Sequence, residues 1–329
     1  MNTNEQVASI SSAQRDILAL RDTLNSQVIG QHELVDRLLI ALLTGGHLLV
    51  EGAPGLAKTR AINVLADAIE GDFQRIQFTP DLLPADITGT EIYRPHDGAF
   101  QFQRGPLFSN LILADEVNRA PAKVQSALLE AMAELQITVG QKTYDLPEVF
   151  MVMATQNPIE QEGTYPLPEA QLDRFLMHVK VDYPHPSTER DILRLVRSEA
   201  VNAAQSRAIS LSLVNLKQAR TEVLGVFMAD PVEDYIVRLI VSTRNPAALD
   251  DNLARWIDYG GSPRATISLD ACARAHAWLA KRNYVSPADV QAVAHDVLRH
   301  RLLLSYQAEA DGISVDQVVD KLISLVPAP

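Results

Sequence analysis

The chain has 329 residues, of which 47% are hydrophobic and 21% are charged. This length suggests about two domains, and the composition excludes a disordered, collagen-like or disulfide-stapled protein. With 29 basic and 41 acidic residues, the net charge of −12 disfavours nucleic acid and anionic membranes as partners. The single cysteine, Cys272, cannot form an internal disulfide, which fits a reducing compartment.

The first residues are polar and are not followed by an apolar segment typical of a secretion signal. The longest apolar runs, such as residues 111–114, are far shorter than the roughly 20 residues that span a bilayer. We therefore expect a cytoplasmic protein with no membrane span.

Residues 1–190 alternate between helical and strand patterns. Apolar residues at helical spacing predict helices at 5–24, 34–43, 59–69 and 121–135. Short apolar runs between turn residues predict strands at 47–50, 73–78, 111–114, 150–154 and 175–179. This alternation predicts an α/β fold with a mainly parallel sheet covered on both faces. Residues 90–104 and 136–147 interrupt it as hairpins, the second with a type II′ turn at Gly140-Gln141.

The pattern changes after the prolines at 184 and 186. From there it is helical throughout, with predicted helices at 188–200, 211–225, 231–243, 265–281 and 287–303. A domain boundary is therefore expected between residues 184 and 210. We divide the chain into a core at 1–190 and a smaller all-α domain at 191–329.

A phosphate-binding loop is the sharpest motif. It lies between a predicted strand and a predicted helix, as such loops require, and reads Gly52-Ala53-Pro54-Gly55-Leu56-Ala57-Lys58-Thr59. Backbone N–H groups can cradle phosphates there, Lys58 can reach them, and Thr59 can help to hold Mg²⁺. Ala57 replaces the usual glycine, a change we expect to be tolerated only if this residue is already helical. The competing interpretation is a turn before a helix with a surface lysine.

Polar side chains end two further strands. Asp115 and Glu116 follow the strand at 111–114, at the edge of the sheet where α/β ligand sites form. Asp115 can hold Mg²⁺ and Glu116 can act as a general base on water. Asn157 follows the next strand and can orient that water or contact a phosphate. Solvated acids and ordinary turn chemistry are the alternatives.

Two arginines also suggest a role. Arg174 precedes the last strand of the sheet. Ser262 is a plausible N-cap and Pro263 a first-turn residue, which puts Arg264 in the first turn of a helix. A cation there opposes the helix dipole, which makes sense if it pairs with an anion such as a nucleotide phosphate. For an arbitrary arginine, a surface ion pair is the better interpretation.

Taken together, these motifs resemble the AAA+ ATPases, and more closely their MoxR branch. The resemblance covers nearly the whole chain from about residue 28. Its segments are residues 51–59, 104–108, 114–121, 125–132, 154–158, 163–175 and 262–264. It implies a P-loop αβα core with a parallel sheet and hairpin insertions, followed by a smaller all-α lid.

The resemblance also implies roles for the motif residues with ATP and Mg²⁺. The nucleotide is bound by the loop residues Gly52, Ala53, Pro54, Gly55, Leu56, Ala57, Lys58 and Thr59, and Lys58 is also catalytic. Thr59 and Asp115 hold the metal. Glu116 is the base and Asn157 is the first sensor. Arg174 is the finger that acts on the neighbouring subunit's ATP. Arg264 is the second sensor on the lid, in cis or in trans, and Ile29, within residues 28–31, packs on the adenine.

Members of the branch resemble ring-forming, usually hexameric, chaperone-like ATPases that mature or activate partner proteins. The resemblance implies as partners other copies of the chain and a protein client, which in this branch often has a von Willebrand factor A domain. The alternatives are a nucleic-acid motor, a nucleotide-gated binding module with little turnover, and a chelatase-type motor subunit.

Overall fold

The computed structural model describes residues 10–53, 55–96, 98–158, 163–201 and 210–329. Pro54, which sequence analysis places in the phosphate loop, lies outside the described residues. So do residues 5–9 of the first predicted helix and residues 202–209 of the predicted boundary segment.

Helices and strands alternate in the first half of the chain, and helices dominate the second. The helices are α1 Ser12–Gln27, α2 His32–Thr44, α3 Lys58–Asp67, α4 Pro84–Thr88, α5 Ala122–Glu134, α6 Glu169–Leu172, α7 Pro186–Val201, α8 Leu213–Leu224, α9 Asp230–Arg244, α10 Asp251–Trp256, α11 Pro263–Leu279, α12 Pro287–Leu298, α13 Tyr306–Ala310 and α14 Val315–Leu325. The strands are β1 Leu48–Gly52, β2 Phe73–Gln77, β3 Gly89–Arg94, β4 Ala99–Arg104, β5 Leu111–Asp115, β6 Gln136–Val139, β7 Lys142–Asp145, β8 Met151–Gln156, β9 Met177–Val181, β10 Ile257–Tyr259 and β11 Leu303–Leu304.

Five strands form one parallel sheet in the order β2-β5-β8-β1-β9. The two strands adjacent to β8 are therefore β5, which ends in Asp115, and β1, which leads into the phosphate loop. Since parallel strands end at a common edge, the loop, the acidic pair and the residue after β8 meet there. The predicted α/β class with a parallel sheet is confirmed.

The sheet separates two apolar clusters. Along β5, Leu113 belongs to one cluster and Ile112 to the other, and along β8 Met153 and Val152 divide in the same way. This alternation follows from the period of two of a β-strand. Both faces of the sheet are therefore covered, as the apolar strand sequences predict.

Both predicted hairpins are present. Strand β3 pairs with β4, and β6 pairs with β7 through a two-residue turn in which Gly140 has φ +63°. The hairpins contact each other through Phe102 and Tyr144, whose rings stack at 4.1 Å. A positive φ at the first turn residue is what the predicted turn requires there.

The C-terminal region differs from the prediction in two ways. It contains, among its described residues, three helices beyond the five predicted, α10, α13 and α14. The expected helix at 287–303 is wrong after residue 298: α12 ends there, and β11 pairs antiparallel with β10. At this turn the Arg301 side chain, 2% exposed, points inward and donates to backbone carbonyls just before β9. The region is therefore not all-α, although helices make up most of it.

The N-terminal helices pack against C-terminal ones. Gln14 on α1 donates to the Trp278 carbonyl at 2.8 Å, and Arg37 on α2 pairs with Asp296 on α12 at 2.6 Å. The division at residue 190 stays a prediction, and these contacts show that α1 and α2 lie against the C-terminal helices. Among the described residues, no helix combines the length and apolarity that a membrane crossing needs.

Candidate active site

The phosphate loop connects β1 to α3 at the carboxyl edge of the sheet. Lys58 is the first residue of α3, and its Nζ donates to the Gly52 carbonyl at 2.5 Å. Gly55 has φ +84°, a conformation that favours glycine, and no heavy atom would lie within 4 Å of a Cβ added there. The loop thus curves around open space at the N-terminus of a helix, where anions bind favourably.

Ala57 corrects the sequence-based expectation. It is not helical: it caps α3 in the left-handed region, with φ 60° and ψ 14°. A Cβ in this region crowds the following carbonyl, which costs roughly 1–2 kcal/mol. The backbone therefore has the conformation that a glycine would adopt, and the alanine tolerates it at some strain.

Thr155 on β8 organises the two carboxylates that end β5. Its hydroxyl donates to Asp115 Oδ1 at 2.6 Å and accepts the Glu116 backbone N–H at 2.9 Å. Glu116 has φ 57° and ψ 50°, so the chain turns sharply after the strand. One buried threonine thus holds the carboxylate of Asp115 and the backbone of Glu116.

A cavity of about 360 Å³ brings the predicted phosphate and acid groups together. It is lined by Gly55, Leu56, Ala57, Lys58, Thr59, Arg60, Asp115, Glu116, Thr155 and Asn157. The cavity contains three of the four residues predicted as catalytic, which are Lys58, Glu116 and Asn157. The elements that supply them are adjacent in the sheet and distant in the chain.

Lys58 lies in an acidic environment. Partial burial lowers the pKa of Lys58 from its usual range, and the charges of Asp115, Glu116 and Glu51 act in the opposite direction. The lysine is a partly desolvated cation that faces carboxylates. An anion that enters the loop therefore meets the positive charge of Lys58 at the end of the loop.

Besides Thr155, three residues to which the sequence analysis gave no role contact the acids. Arg75 Nη2 pairs with Asp115 Oδ2 at 2.6 Å, while Gln77 Nε2 donates to Glu116 Oε2 at 2.8 Å. Arg119 Nε lies 3.2 Å from the same oxygen of Glu116. The alternation along β2 gave a signal, because its polar residues 75 and 77 share a face, but only the pairing of β2 with β5 identifies their partners.

The donor set fits Mg²⁺, which prefers oxygen ligands and keeps several waters. Thr59 and Asp115 offer a hydroxyl and a carboxylate in one cavity. Asp115 Oδ1 accepts one bond, from Thr155, and keeps a further lone pair, while Oδ2 accepts two bonds from the Arg75 guanidinium. Among the described residues, no cluster of three His, Cys, Asp or Glu side chains suits a metal bound by protein alone.

A second, more apolar cavity of about 210 Å³ adjoins the first. Its lining includes Ile29, Pro184, which lies two residues before α7, and Ile192 and Val196 on α7. Gly55, Leu56, Ala57 and Arg60 line both cavities. The predicted base-binding residue therefore lies beside the phosphate loop. Its partners on α7 were missed, although their helical spacing was visible.

The two predicted arginines lie elsewhere. Arg174 Nη1 donates to the Leu129 carbonyl at 2.5 Å, and Arg264 is exposed in the first turn of α11. Ser262 caps that helix by accepting the Arg264 backbone N–H at 3.2 Å, as predicted. Neither arginine lines the two cavities just described.

The loop between β1 and α3, with carboxylates two strands away on β5, defines a P-loop nucleotide-binding protein with an added helical lid. A model of the ATPase family associated with various cellular activities (AAA) matches residues 47–177, and an AAA lid domain model matches residues 253–322.

Relatives extend this likeness over almost the full chain. Chaperone MoxR1 of Mycobacterium tuberculosis is 48% identical over 92% of this chain and 79% of its own length. Protein MoxR of Paracoccus denitrificans is 34% identical over 93% and 94%. A crystal structure of a candidate ATPase from Cytophaga hutchinsonii superposes with a TM-score of 0.88 at 46% identity, over 96% of each chain. The chain belongs to the MoxR family of chaperone-like AAA+ ATPases.

Proposed function

We propose that this protein hydrolyses ATP to ADP and phosphate in a Mg²⁺-dependent reaction. The observation that carries the proposal is the cavity that joins Lys58 and Thr59 of the phosphate loop with Asp115, Glu116 and Asn157. Nucleotide hydrolysis needs a cradle for phosphates, oxygen ligands for a metal, and a group that orients and deprotonates water. Each requirement has a residue here.

The residues divide the work by position. Lys58 binds the terminal phosphates, Thr59 and Asp115 hold the metal, and Asn157 orients the water or the γ-phosphate. Mg²⁺ supplies neutralisation of phosphate charge when bound. Glu116 accepts the proton of the attacking water. Gln77 and Arg119 both contact its Oε2. The adenine occupies the apolar cavity beside Ile29.

Arg174 completes the site of a neighbouring subunit in this proposal. It lies outside its own chain's cavity, and an arginine supplied in trans is worth about 10³–10⁵ in rate. That arrangement implies a ring, which we propose to be hexameric, with a core at 1–190 and a lid at 191–329. Arg264 is the second sensor, and its exposure leaves it able to reach a nucleotide in either subunit.

The ring's work is remodelling, maturation or activation of a protein client. The relative named a chaperone supports this, and a client with a von Willebrand factor A domain is our specific proposal. The net charge of −12 supports a protein client over nucleic acid. The activity needs a compartment with ATP, and we propose the cytoplasm.

The test is ATP turnover as a function of protein concentration for wild type, Glu116→Gln, Arg174→Ala and a mixture of the two variants. We expect specific activity to rise with concentration and each variant alone to lose at least about 100-fold in kcat. The mixture should recover activity, because one subunit supplies the base and the next supplies the arginine.

Two controls sharpen the result. Glu309→Gln, an exposed position on α13, should behave as wild type. Added duplex DNA should leave turnover unchanged. Turnover that is independent of concentration, together with an active Arg174→Ala variant, would exclude the shared site, and unchanged turnover in Glu116→Gln would favour a nucleotide-gated binding module.

A further inference from the structure

The short segment that carries Arg174 is held from the C-terminal side by one buried arginine. Arg301 Nε donates to Asp173 Oδ1 at 2.7 Å, and its terminal nitrogens donate to the carbonyls of Phe175 at 2.7 Å and Leu176 at 3.0 Å. His300 Nε2 lies 3.1 Å from the same Phe175 carbonyl. The backbone on both sides of Arg174 is therefore bound to the turn that follows α12.

Arg301 also bonds within the lid. It donates to the Val297 carbonyl on α12 and to Ser268 Oγ on α11, at 2.5 and 3.1 Å. Its side chain is 2% exposed. Because these bonds are made by one buried guanidinium, Arg301 joins α11 and α12 of the lid to the segment at 173–176.

Asp173 makes a second connection, to the start of α11. Its Oδ2 accepts from Ser262 Oγ at 2.8 Å while its Oδ1 is held by Arg301. Ser262 is also the cap whose oxygen accepts the Arg264 backbone N–H. One carboxylate thus joins the residue before Arg174 to the helix turn that presents Arg264.

We propose that Asp173, Ser262 and Arg301 are positioning residues that couple the lid to Arg174. When the lid follows the nucleotide of its own subunit, the bridge carries Arg174 with it and so sets the rate in the next subunit. This inference rests on the proposed function, since it assumes that Arg174 acts in trans. It adds a physical path by which one site reports its occupancy to its neighbour.

A matched pair of substitutions at Ser262 tests the bridge. Asp and Asn both cap helices about as well as Ser, so each preserves the start of α11. In Ser262→Asp the hydroxyl donor is replaced by a carboxylate that repels Asp173. In Ser262→Asn the amide can still donate to Asp173. A difference between the two therefore reports the bridge and not the cap.

The experiment uses the complementing mixture of Glu116→Gln and Arg174→Ala subunits. The first supplies the working arginine and the second the working hydrolysis site. Ser262→Asp added to the Glu116→Gln subunit should lower the mixture's kcat by about tenfold or more, because small displacements of a catalytic group cost large factors in rate. Added to the Arg174→Ala subunit, it should change kcat by less than about threefold. Ser262→Asn should retain the rate on either subunit.

Each other outcome is informative. Equal losses on both subunits, or a larger loss on the hydrolysing subunit, would overturn the inference by showing that the change acts through Arg264 or general damage. No loss on either subunit would overturn it as well. A parent mixture with no activity would overturn the proposed function and this inference with it.

Thermal unfolding and sedimentation of each variant monitor folding and assembly. If Ser262→Asp does not fold, Ser262→Gly, which removes the hydroxyl donor to Asp173 and still caps a helix nearly as well, is used in its place with the same expectation.

Discussion

Charged residues serve one purpose at the carboxyl end of β5 and a different purpose on α12. At the phosphate cavity the Glu116 and Arg75 side chains are 27% and 51% exposed, and their partners can be exchanged. At the C-terminal helices, Asp289 and Asp296 are 1% and 5% exposed, and both are paired with arginines. The first group is available to a ligand, and the second is neutralised within the fold.

The comparison shows which charges can do chemistry. A buried, fully paired ion leaves no capacity for a substrate, and removing one partner leaves the other unsatisfied. A partly exposed charge beside a cavity contributes little to stability and can change its partner. Substitutions in the first group should affect turnover, and those in the second should affect unfolding. Two measurements test this division, and two more concern a buried neutral histidine and the backbone strain in the phosphate loop.

Lys58→Met should have the largest effect. We expect kcat/KM for ATP to fall by about 10²–10³, because a preorganised donor to the phosphates is lost. Stability should change by less than about 0.5 kcal/mol, since burial already disfavours the charged form of this lysine by lowering its pKa. The measurements are steady-state turnover and urea unfolding. Lys123→Met, at an exposed position of α5, is the control and should change neither.

Asp289→Asn should cost about 3 kcal/mol in the free energy of unfolding while the cavity residues remain in place. Burial raises the pKa of Asp289, but hydrogen bonds from Arg282, His276 and Ser286 outweigh this and hold it well below its usual range. Because the pKa of Asp289 is lower in the folded chain than its value of 3.8 in the unfolded chain, the ionised carboxylate stabilises the fold above pH 3.8. This stabilisation is lost progressively as the pH falls below 3.8.

The difference between wild type and Asp289→Asn should therefore be full at pH 7 and shrink below pH 3.8, in urea titrations at several pH values. Asp234→Asn, on the exposed side of α9, should stay within about 0.5 kcal/mol of wild type. A difference that does not depend on pH would contradict the role assigned to this carboxylate.

His47 illustrates a third way to handle a titratable group, which is to keep it neutral. Its Nδ1 accepts the Val152 N–H at 3.0 Å, and its Nε2 donates to the Met132 carbonyl at 3.1 Å. Burial lowers the pKa of His47 to about 4 from 6.5, although the bond to Met132 acts in the opposite direction. Below pH 6.5 His47 is protonated in the unfolded chain, whereas in the folded chain it stays neutral until the pH is near 4.

Wild type should therefore lose up to roughly 3 kcal/mol of stability as pH falls from 6.5 toward 4. His47→Gln offers a donor and an acceptor but does not titrate, so its unfolding free energy should depend less on pH in that interval. Parallel curves for the two proteins would show that another group causes the change.

Ala57→Gly should give the smallest effect, a gain of about 1 kcal/mol in unfolding free energy, because glycine adopts φ 60° without strain. Ala61→Gly, inside α3, is the matched control and should instead lose about 1 kcal/mol or more. Opposite signs in urea unfolding would confirm that the loop residue is strained and the helix residue is not.

The local motifs were readable in the sequence because their chemistry depends on near neighbours. A strand, a loop with Gly52 and Gly55, and a helix that begins with Lys58 occupy one short stretch of chain. The strand ending in Asp115 is equally local, and so is the cap at Ser262. Ala57 was read less well, because a single backbone angle cannot be deduced from residue type.

The partners of these residues required the tertiary structure. Arg75 and Gln77 contact the acids only because β2 lies beside β5. Arg301 lies 128 positions from Asp173 in the chain, and no spacing rule links them. The two-residue strand β11 is too short for its pattern to be distinguished from the end of a helix.

The sequence by itself determined the α/β core, the phosphate loop, the acidic pair and the helical character of the C-terminal region, since periodicity and turn chemistry act over a few residues. Only the tertiary structure decided the strand order that joins Asp115 to the loop, and the burial of Arg301 behind Arg174. Those depend on which apolar faces pack together, a property of the whole chain.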